Sequence, residues 1–89
     1  MNNVNSIKDI IQFLDKELNQ EDKDYLIDNG SLSVHHSLGR WIRNNFGLWK
    51  DEDTPLKLEL KELGYEHPDD MSNFIIEKYI EYIENGNEQ

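Results

Sequence analysis

Two short stretches of this chain carry residue types that bind ligands or take part in catalysis. The first has four of them at steps of four, three and one: His36, Arg40, Arg43 and Asn44. On a helix, this spacing places the four side chains along one stripe. Arginine forks bind carboxylates and phosphates through paired hydrogen bonds, and the asparagine amide adds further donors. The stripe therefore predicts a face that binds an anion or a partner protein.

The second stretch runs from His67 through Pro68 to Asp69 and Asp70. Together with a nearby His35 or His36, it suggests a metal site or an acid–base site. A metal site needs at least three convergent ligands, and no sequence motif enforces that convergence here. A helix start explains the same residues fully, because proline suits the first helical position and aspartates complement a helix N-terminus. We favour the helix start, with Asp70 reaching back to the His67 N–H as in a capping box, and expect no metal and no cofactor.

A third interpretation connects the two stretches. Asp69 or Asp70 would receive Arg43, and the pair would fasten the two helices that carry them. Trp41 and Trp49 flank the stripe, so they could stack on its cations or anchor a partner protein. Alternatively, both arginines pair with acids inside the protein and both tryptophans fill the core. We expect the core position for the tryptophans and leave both alternatives open for the arginines.

The formal net charge of the 89-residue chain is −10, and this charge is unevenly distributed. Residues 31–50 carry +3 and no acid, whereas residues 1–30 carry −4 and residues 51–89 carry −9. An acidic surface opposes direct nucleic-acid binding, because phosphate contacts depend on Lys and Arg. It fits a partner protein with a basic surface, although acids also simply keep small proteins soluble.

Composition and the absence of certain motifs disfavour several kinds of reactive site, as well as a membrane or secreted location. The absence of cysteine removes disulfides, thiolate zinc sites and cysteine nucleophiles. The serines occupy capping or helical settings, and the glycines are isolated, so neither a nucleophile elbow nor a phosphate loop is predicted. No apolar run approaches the roughly 20 residues of a membrane span, and the first residues do not resemble a signal peptide. We therefore expect a cytoplasmic protein that is not an enzyme and has no membrane contact.

The elements that must position these residues are helices. Apolar periodicity and capping residues predict one domain over residues 1–89, an all-α orthogonal bundle of four to five short helices. The predicted helices span 6–18, 20–28, 33–45, 55–63 and 68–84, with a frayed end at 85–89. The predicted apolar face of the third helix consists of Val34, Leu38, Trp41, Ile42 and Asn45. Gly39, inside that helix, costs roughly 0.5–1 kcal/mol relative to alanine, which indicates close approach of another backbone or a ligand.

Two segments together resemble a family of small bacterial domains of unknown function. They are WIRNNFGLW from Trp41 to Trp49 and HPDDMS from His67 to Ser72. Phe46 stands where the family pattern has a second tryptophan. The resemblance covers about residues 33–83, and residues 6–30 lie outside it. It supports the fold and the location of the site, and it implies no activity.

Two functions follow from these observations. The first is a non-catalytic interaction module of the immunity-protein, antitoxin, inhibitor or adaptor type, with Glu77, Glu81, Glu84 and Asp51–Asp53 facing its partner. The alternative is a ligand- or metal-binding domain, extending to an enzyme, centred on the His36/Arg40/Arg43 face and the His67–Asp70 turn. We favour the first, because no catalytic constellation is present. The protein is expected to be a monomer or a weak homodimer, since the fifth helix has a broad apolar face.

Overall fold

The computed structural model describes residues 4–86, and this part of the chain is helical without any strand. Its α-helices are α1 (Ile7–Glu17), α2 (Gln20–Asn29), α3 (Leu38–Asn45), α4 (Pro55–Glu62) and α5 (Pro68–Glu84), with a 3-10 helix at Ser31–Val34. The predicted all-α bundle is confirmed. Of the frayed end predicted at 85–89, residues 87–89 lie outside the described residues. None of the helices in residues 4–86 has the length and apolar character needed to span a membrane.

Local capping chemistry explains where most helices begin. The side chains of Ser6, Asn19 and Thr54 each accept a hydrogen bond from the backbone N–H three residues later. Proline opens α4 and α5, where a missing N–H costs nothing. A carboxylate oxygen of Glu59 also accepts from the Ile7 N–H at 2.8 Å, so α4 caps the first turn of α1.

The longest helix, α5, forms the centre of the bundle. It packs against α1, α2, α3 and the 3-10 helix, while α4 packs on α1. Its inner side chains Met71, Ile75, Ile76 and Tyr79 are almost completely removed from solvent. The core around them contains Ile7, Ile10, Leu14, Leu26, Val34, Ile42, Phe46, Leu48, Leu56 and Leu60. Burial of this apolar surface is the main stabilising contribution to a domain of this size.

The third helix starts later than predicted. A 3-10 helix ends at Val34 and a turn follows, so α3 begins at Leu38 rather than at residue 33. In a continuous helix the His35 carbonyl would accept from the Gly39 N–H. Here that carbonyl accepts from Nη2 of Arg43 at 3.1 Å. The side chain of Arg43 thus satisfies a backbone group that lies outside regular structure.

The buried face of α3 also differs from the predicted one. Gly39, Ile42, Arg43 and Phe46 are buried, whereas Asn45 is exposed. The expectation that both tryptophans fill the core is wrong, because Trp41 is 40% exposed and Trp49 is 54% exposed. The Trp41 ring instead stacks on Phe13 with centroids 6.1 Å apart, and Phe46 enters the core beneath them.

A buried tyrosine connects three helices. The Tyr79 hydroxyl donates to Asp15 Oδ1 at 3.1 Å, and Lys23 Nζ lies 3.1 Å from the same oxygen. These contacts join α5 to α1 and α2. Burial, reinforced by the hydrogen bond to the negatively charged Asp15, raises the pKa of Tyr79 above its ordinary value.

This raised pKa gives the fold an alkaline limit. Since the unfolded pKa of tyrosine is about 10, the stabilising contribution is complete below that pH and declines as pH rises toward the folded pKa. We expect Tyr79→Phe to lower the free energy of unfolding at pH 7 by about 1–2 kcal/mol, because a hydrogen bond to a charged group is lost. The variant should also show a shallower loss of stability between about pH 10 and pH 12 than wild type.

Urea unfolding followed by circular dichroism at several pH values measures both effects. Tyr82→Phe is the matched control, since Tyr82 stacks beside Tyr79 and its hydroxyl has no hydrogen-bond partner within residues 4–86. An alkaline decline as steep in Tyr79→Phe as in wild type would contradict the assignment.

Candidate functional site

Arg43 is the centre of the polar cluster between α3 and α5. Its side chain is only 5% exposed, although it carries a permanent charge. Nη1 donates to Ser72 Oγ at 2.8 Å, and Nη2 donates to the His35 carbonyl. Nε lies 3.4 Å from Asp69 Oδ1, an ionic contact without hydrogen-bond geometry. The predicted contact between Arg43 and an aspartate of the fifth helix is therefore present, with Asp69 as the carboxylate partner, whereas Asp70 is exposed.

Gly39 makes room for this cluster. A Cβ built at Gly39 would lie 3.0 Å from Nη1 of Arg43 and 3.6 Å from Ser72 Oγ. The sequence predicted close approach of another backbone. The Val34 carbonyl oxygen does lie near, but its 3.5 Å distance from the built Cβ is an ordinary van der Waals contact. The tightest neighbour is the guanidinium one turn further along the same helix. Glycine at this position therefore allows Arg43 to lie along α3 and reach α5.

The turn before α5 is a helix cap built from a histidine. His67 Nδ1 accepts a hydrogen bond from the Asp69 backbone N–H at 3.0 Å, and Pro68 occupies the first turn. This differs from the predicted capping box, in which Asp70 would accept from the His67 N–H, because here the His67 ring itself accepts from the Asp69 N–H. The same nitrogen lies 3.8 Å from Asp69 Oδ2.

Asp69 collects the remaining polar contacts of the cluster. Its carboxylate faces Nε of Arg43 and lies 3.9 Å from His35 Nε2. Its backbone carbonyl accepts from the Ser72 hydroxyl at 3.1 Å, and that hydroxyl oxygen accepts from Arg43. Arg43, Ser72 and Asp69 thus form a closed network in which each group fixes the next.

Trp49 covers the outer side of this network. Its ring centroid lies 5.9 Å from the guanidinium carbon of Arg43, and 6.3 Å from the His67 ring at 77°. The predicted contact between a tryptophan and an arginine of the stripe is therefore present. It shields the cation from water on one side while leaving 54% of Trp49 exposed.

The other predicted site residues do not join this cluster. His36, Arg40 and Asn44 are exposed, and their side chains form no hydrogen bond or ion pair with any residue between 4 and 86. The predicted stripe is therefore divided, because Arg43 turns inward over Gly39 while its neighbours face solvent. Two members of the cluster were missed. Ser72 lies in the HPDDMS segment, so its participation could have been predicted from the motif. The His35 carbonyl belongs to the backbone, so the residue type does not indicate its role.

The cluster is packed rather than open. Four surface pockets of about 210 to 360 Å³ lie elsewhere, and none of these four is lined by His36, Arg40, Arg43 or His67. Over the described range 4–86, no three or more His, Asp or Glu side chains form a group that could hold a metal ion. Chemically, the arrangement fixes the angle between α3 and α5 and presents Trp49 and His67 on the surface.

Comparison with known proteins places the chain in a family. No curated protein and no solved structure gives a significant match. One family model, "Domain of unknown function (DUF6794)", matches residues 5–83. The match extends the resemblance seen over 33–83 to include α1 and α2. Since it covers most of the chain and includes both motifs, the protein belongs to the DUF6794 family.

Proposed function

We propose that this protein is a small acidic interaction module, of the immunity-protein, antitoxin, inhibitor or adaptor type, that binds a partner protein with a basic surface and performs no catalysis. The placement of charge carries the proposal. Within residues 4–86, only four carboxylates lie within 4.0 Å of a lysine or arginine nitrogen: Asp15, Asp53, Asp69 and Glu81. Most of the other acids are exposed, so their charge is available to a cationic partner.

The buried arginine supports the same conclusion. The Arg43 guanidinium donates its hydrogen bonds to Ser72 and to the His35 carbonyl inside the protein, so these donors are not available to a ligand. Arg40 is exposed and lines none of the four pockets, which weakens the case for an anion-binding site. The alternative, a ligand- or metal-binding domain or an enzyme, requires these residues to converge on one cavity.

The predicted acidic segments contribute unequally to the surface charge. In the connector, the Lys61 ammonium lies 2.8 Å from Asp53 and lowers the pKa of that carboxyl, while Asp51 and Glu52 are exposed without such a partner in the described structure. On α5, Glu81 pairs with Lys78, and Glu77 accepts weak hydrogen bonds from Ser31 and Asn73. The carboxylates of Asp53, Glu77 and Glu81 remain exposed and screened by water, so these contacts leave most of the negative field in place.

Such a field accelerates association with a basic protein and disfavours nucleic acid, whose phosphates would be repelled. We place the interaction in the cytoplasm, and the partner provides the compensating lysines and arginines. A monomer is the proposed free state, because association of two copies would bring together two net charges of −10.

The test is an affinity pull-down from the native host, with partners identified by mass spectrometry. We expect a near-stoichiometric basic partner that is retained at about 0.1 M salt and released toward about 1 M, where the Debye length falls from about 10 to about 3 Å. Two charge reversals, Glu77→Lys/Glu81→Lys on α5 and Asp24→Lys/Asp28→Lys on α2, separate the acidic faces. At least one of them should weaken capture.

Arg40→Glu is the matched control, because it changes an exposed charge without removing an internal contact. Arg43→Glu is unsuitable, since it would break the cluster between α3 and α5. All variants are checked for helicity by circular dichroism. The proposal fails if wild type retains no specific partner, if the retained partner is acidic, or if capture is insensitive to both salt and charge reversal.

A further inference from the structure

An apolar groove lies between α1, α2, the 3-10 helix and α3. It consists of two adjoining pockets, of about 360 and about 310 Å³, that are both lined by Leu18 and Leu38. Its apolar and aromatic lining residues are Leu14, Leu18, Tyr25, Leu26, Val34, Leu38 and Trp41. Each pocket is large enough to receive a bulky apolar side chain.

Aromatic rings stand at both ends of this groove and are half exposed. Tyr25 is 50% exposed and Trp41 is 40% exposed. The Trp41 ring is held between contacts with Phe13 and Phe46, so its orientation is fixed before any partner binds. Rigid, partly exposed tryptophan and tyrosine side chains are the usual anchors of protein interfaces, because little entropy is lost when they are covered.

The wall formed by α2 is not explained by core packing. Only Leu26 of its ten residues is buried. Four exposed acids line its outer surface: Glu21, Asp22, Asp24 and Asp28. The single lysine of the helix, Lys23, is paired with Asp15 of α1. Glu17 and Asp22 themselves line the groove, so an apolar floor is bordered by uncompensated negative charge.

These features select one kind of occupant. We infer that the groove binds a short amphipathic segment of the partner protein, with apolar side chains on one face and lysine or arginine residues beside them. Apolar residues at helical spacings of three, four and seven would enter the two pockets, and the flanking cations would face Asp22 and Glu17. A second copy of this chain is disfavoured, because it would add another acidic surface to the same rim. The inference rests on the proposed function and specifies its surface and the chemistry of its partner.

A displayed library of random peptides tests the groove without knowledge of the natural partner. Wild-type protein is used for selection, and binding peptides are then measured against variants by fluorescence anisotropy. We expect the enriched peptides to be net positive with apolar residues at helical spacing. Tyr25→Ser and Asp22→Asn should each weaken them by about tenfold or more. Leu63→Ser and Asp70→Asn are the matched controls, since they change an equally exposed apolar residue and another first-turn aspartate that line neither pocket.

Enriched peptides that are neutral or acidic, or that bind Tyr25→Ser as well as wild type, would overturn the inference. The same conclusion would follow if selection yields no binding peptide, or if sedimentation shows a dimer that Tyr25→Ser abolishes. The pull-down distinguishes this failure from failure of the proposed function. A partner lost with Glu77→Lys/Glu81→Lys but kept by Tyr25→Ser and Asp22→Asn leaves the function intact and excludes the groove, whereas no partner at all excludes both.

Discussion

Arg43→Ala should lower the free energy of unfolding by about 3 kcal/mol, whereas Arg40→Ala, on the same helix, should change it by less than about 0.5 kcal/mol. The two substitutions remove the same side chain from sites that differ in burial. Arg43 donates to Ser72 and to the His35 carbonyl inside the protein, and Arg40 faces water. In a domain of this size, the loss corresponds to a decrease in Tm of roughly 12–24 °C.

The expected magnitude follows from which groups are left without partners. The His35 carbonyl and the Ser72 hydroxyl lose a charged donor, and a void replaces the guanidinium beneath Trp49. Asp69 is less affected, because its side chain is 42% exposed and remains hydrated. Removing one partner of a fully buried ion pair costs about 3–5 kcal/mol, so a half-exposed carboxylate places the value at the lower end.

Thermal and urea unfolding of the two arginine variants provide the measurement. A second comparison uses Asp69→Asn and Asp70→Asn, which lie side by side in the first turn of α5. Only the first should destabilise, by about 1 kcal/mol after allowance for solvent screening. Equal losses for Arg43→Ala and Arg40→Ala would mean that the buried network does not hold α3 to α5.

Parts of this fold could be predicted from the sequence because their causes are local. Ser6, Asn19 and Thr54 cap the helices that follow them, and the predicted span 68–84 coincides with α5. Such contacts involve residues three or four positions apart, which sequence spacing records directly. The all-α bundle follows from the same periodicity.

The buried face of α3 could not be predicted from hydrophobic periodicity. Hydrophobic periodicity placed Trp41 on the apolar face and Arg43 on the opposite polar stripe, and it left burial of Arg43 open. In the structure Arg43 is buried and Trp41 is 40% exposed. The reason is a set of contacts between residues distant in sequence. Arg43 is buried because Ser72, 29 positions later, and the His35 carbonyl satisfy it. A buried charge that donates two hydrogen bonds and lies beside a carboxylate can thus override a hydrophobic pattern that is only approximately periodic.

The candidate site was predicted in part for the same reason. Pairing of Arg43 with Asp69 was suggested by the joint presence of two motifs, and Trp49 does contact Arg43. The groove could not be predicted, because Leu18, Tyr25 and Leu38 come from separate helices and converge only in the folded chain. If the two motifs serve to hold α3 against α5 through Arg43, Ser72 and Asp69, a surface that binds a partner can lie elsewhere on the protein. The exposed acids and the groove are then the features that a partner would contact.

The role of Gly39 provides the second large expected effect. Gly39→Val should cost about 2 kcal/mol, because its added carbons would overlap the Arg43 guanidinium and the approach of Ser72. In an Arg43→Ala background the closest neighbour is gone, so the same substitution should cost less than about 1 kcal/mol. Gly39→Ala should then become stabilising by about 0.5–1 kcal/mol in that background, since alanine favours helix and this glycine has no positive φ.

Urea unfolding of the four proteins in each double-mutant cycle measures the coupling between positions 39 and 43 directly. If the two positions are additive, Gly39 is not there to accommodate Arg43. A coupling above about 1 kcal/mol would instead show that the glycine and the arginine act as one unit, in which a residue without a side chain lets a buried cation join two helices.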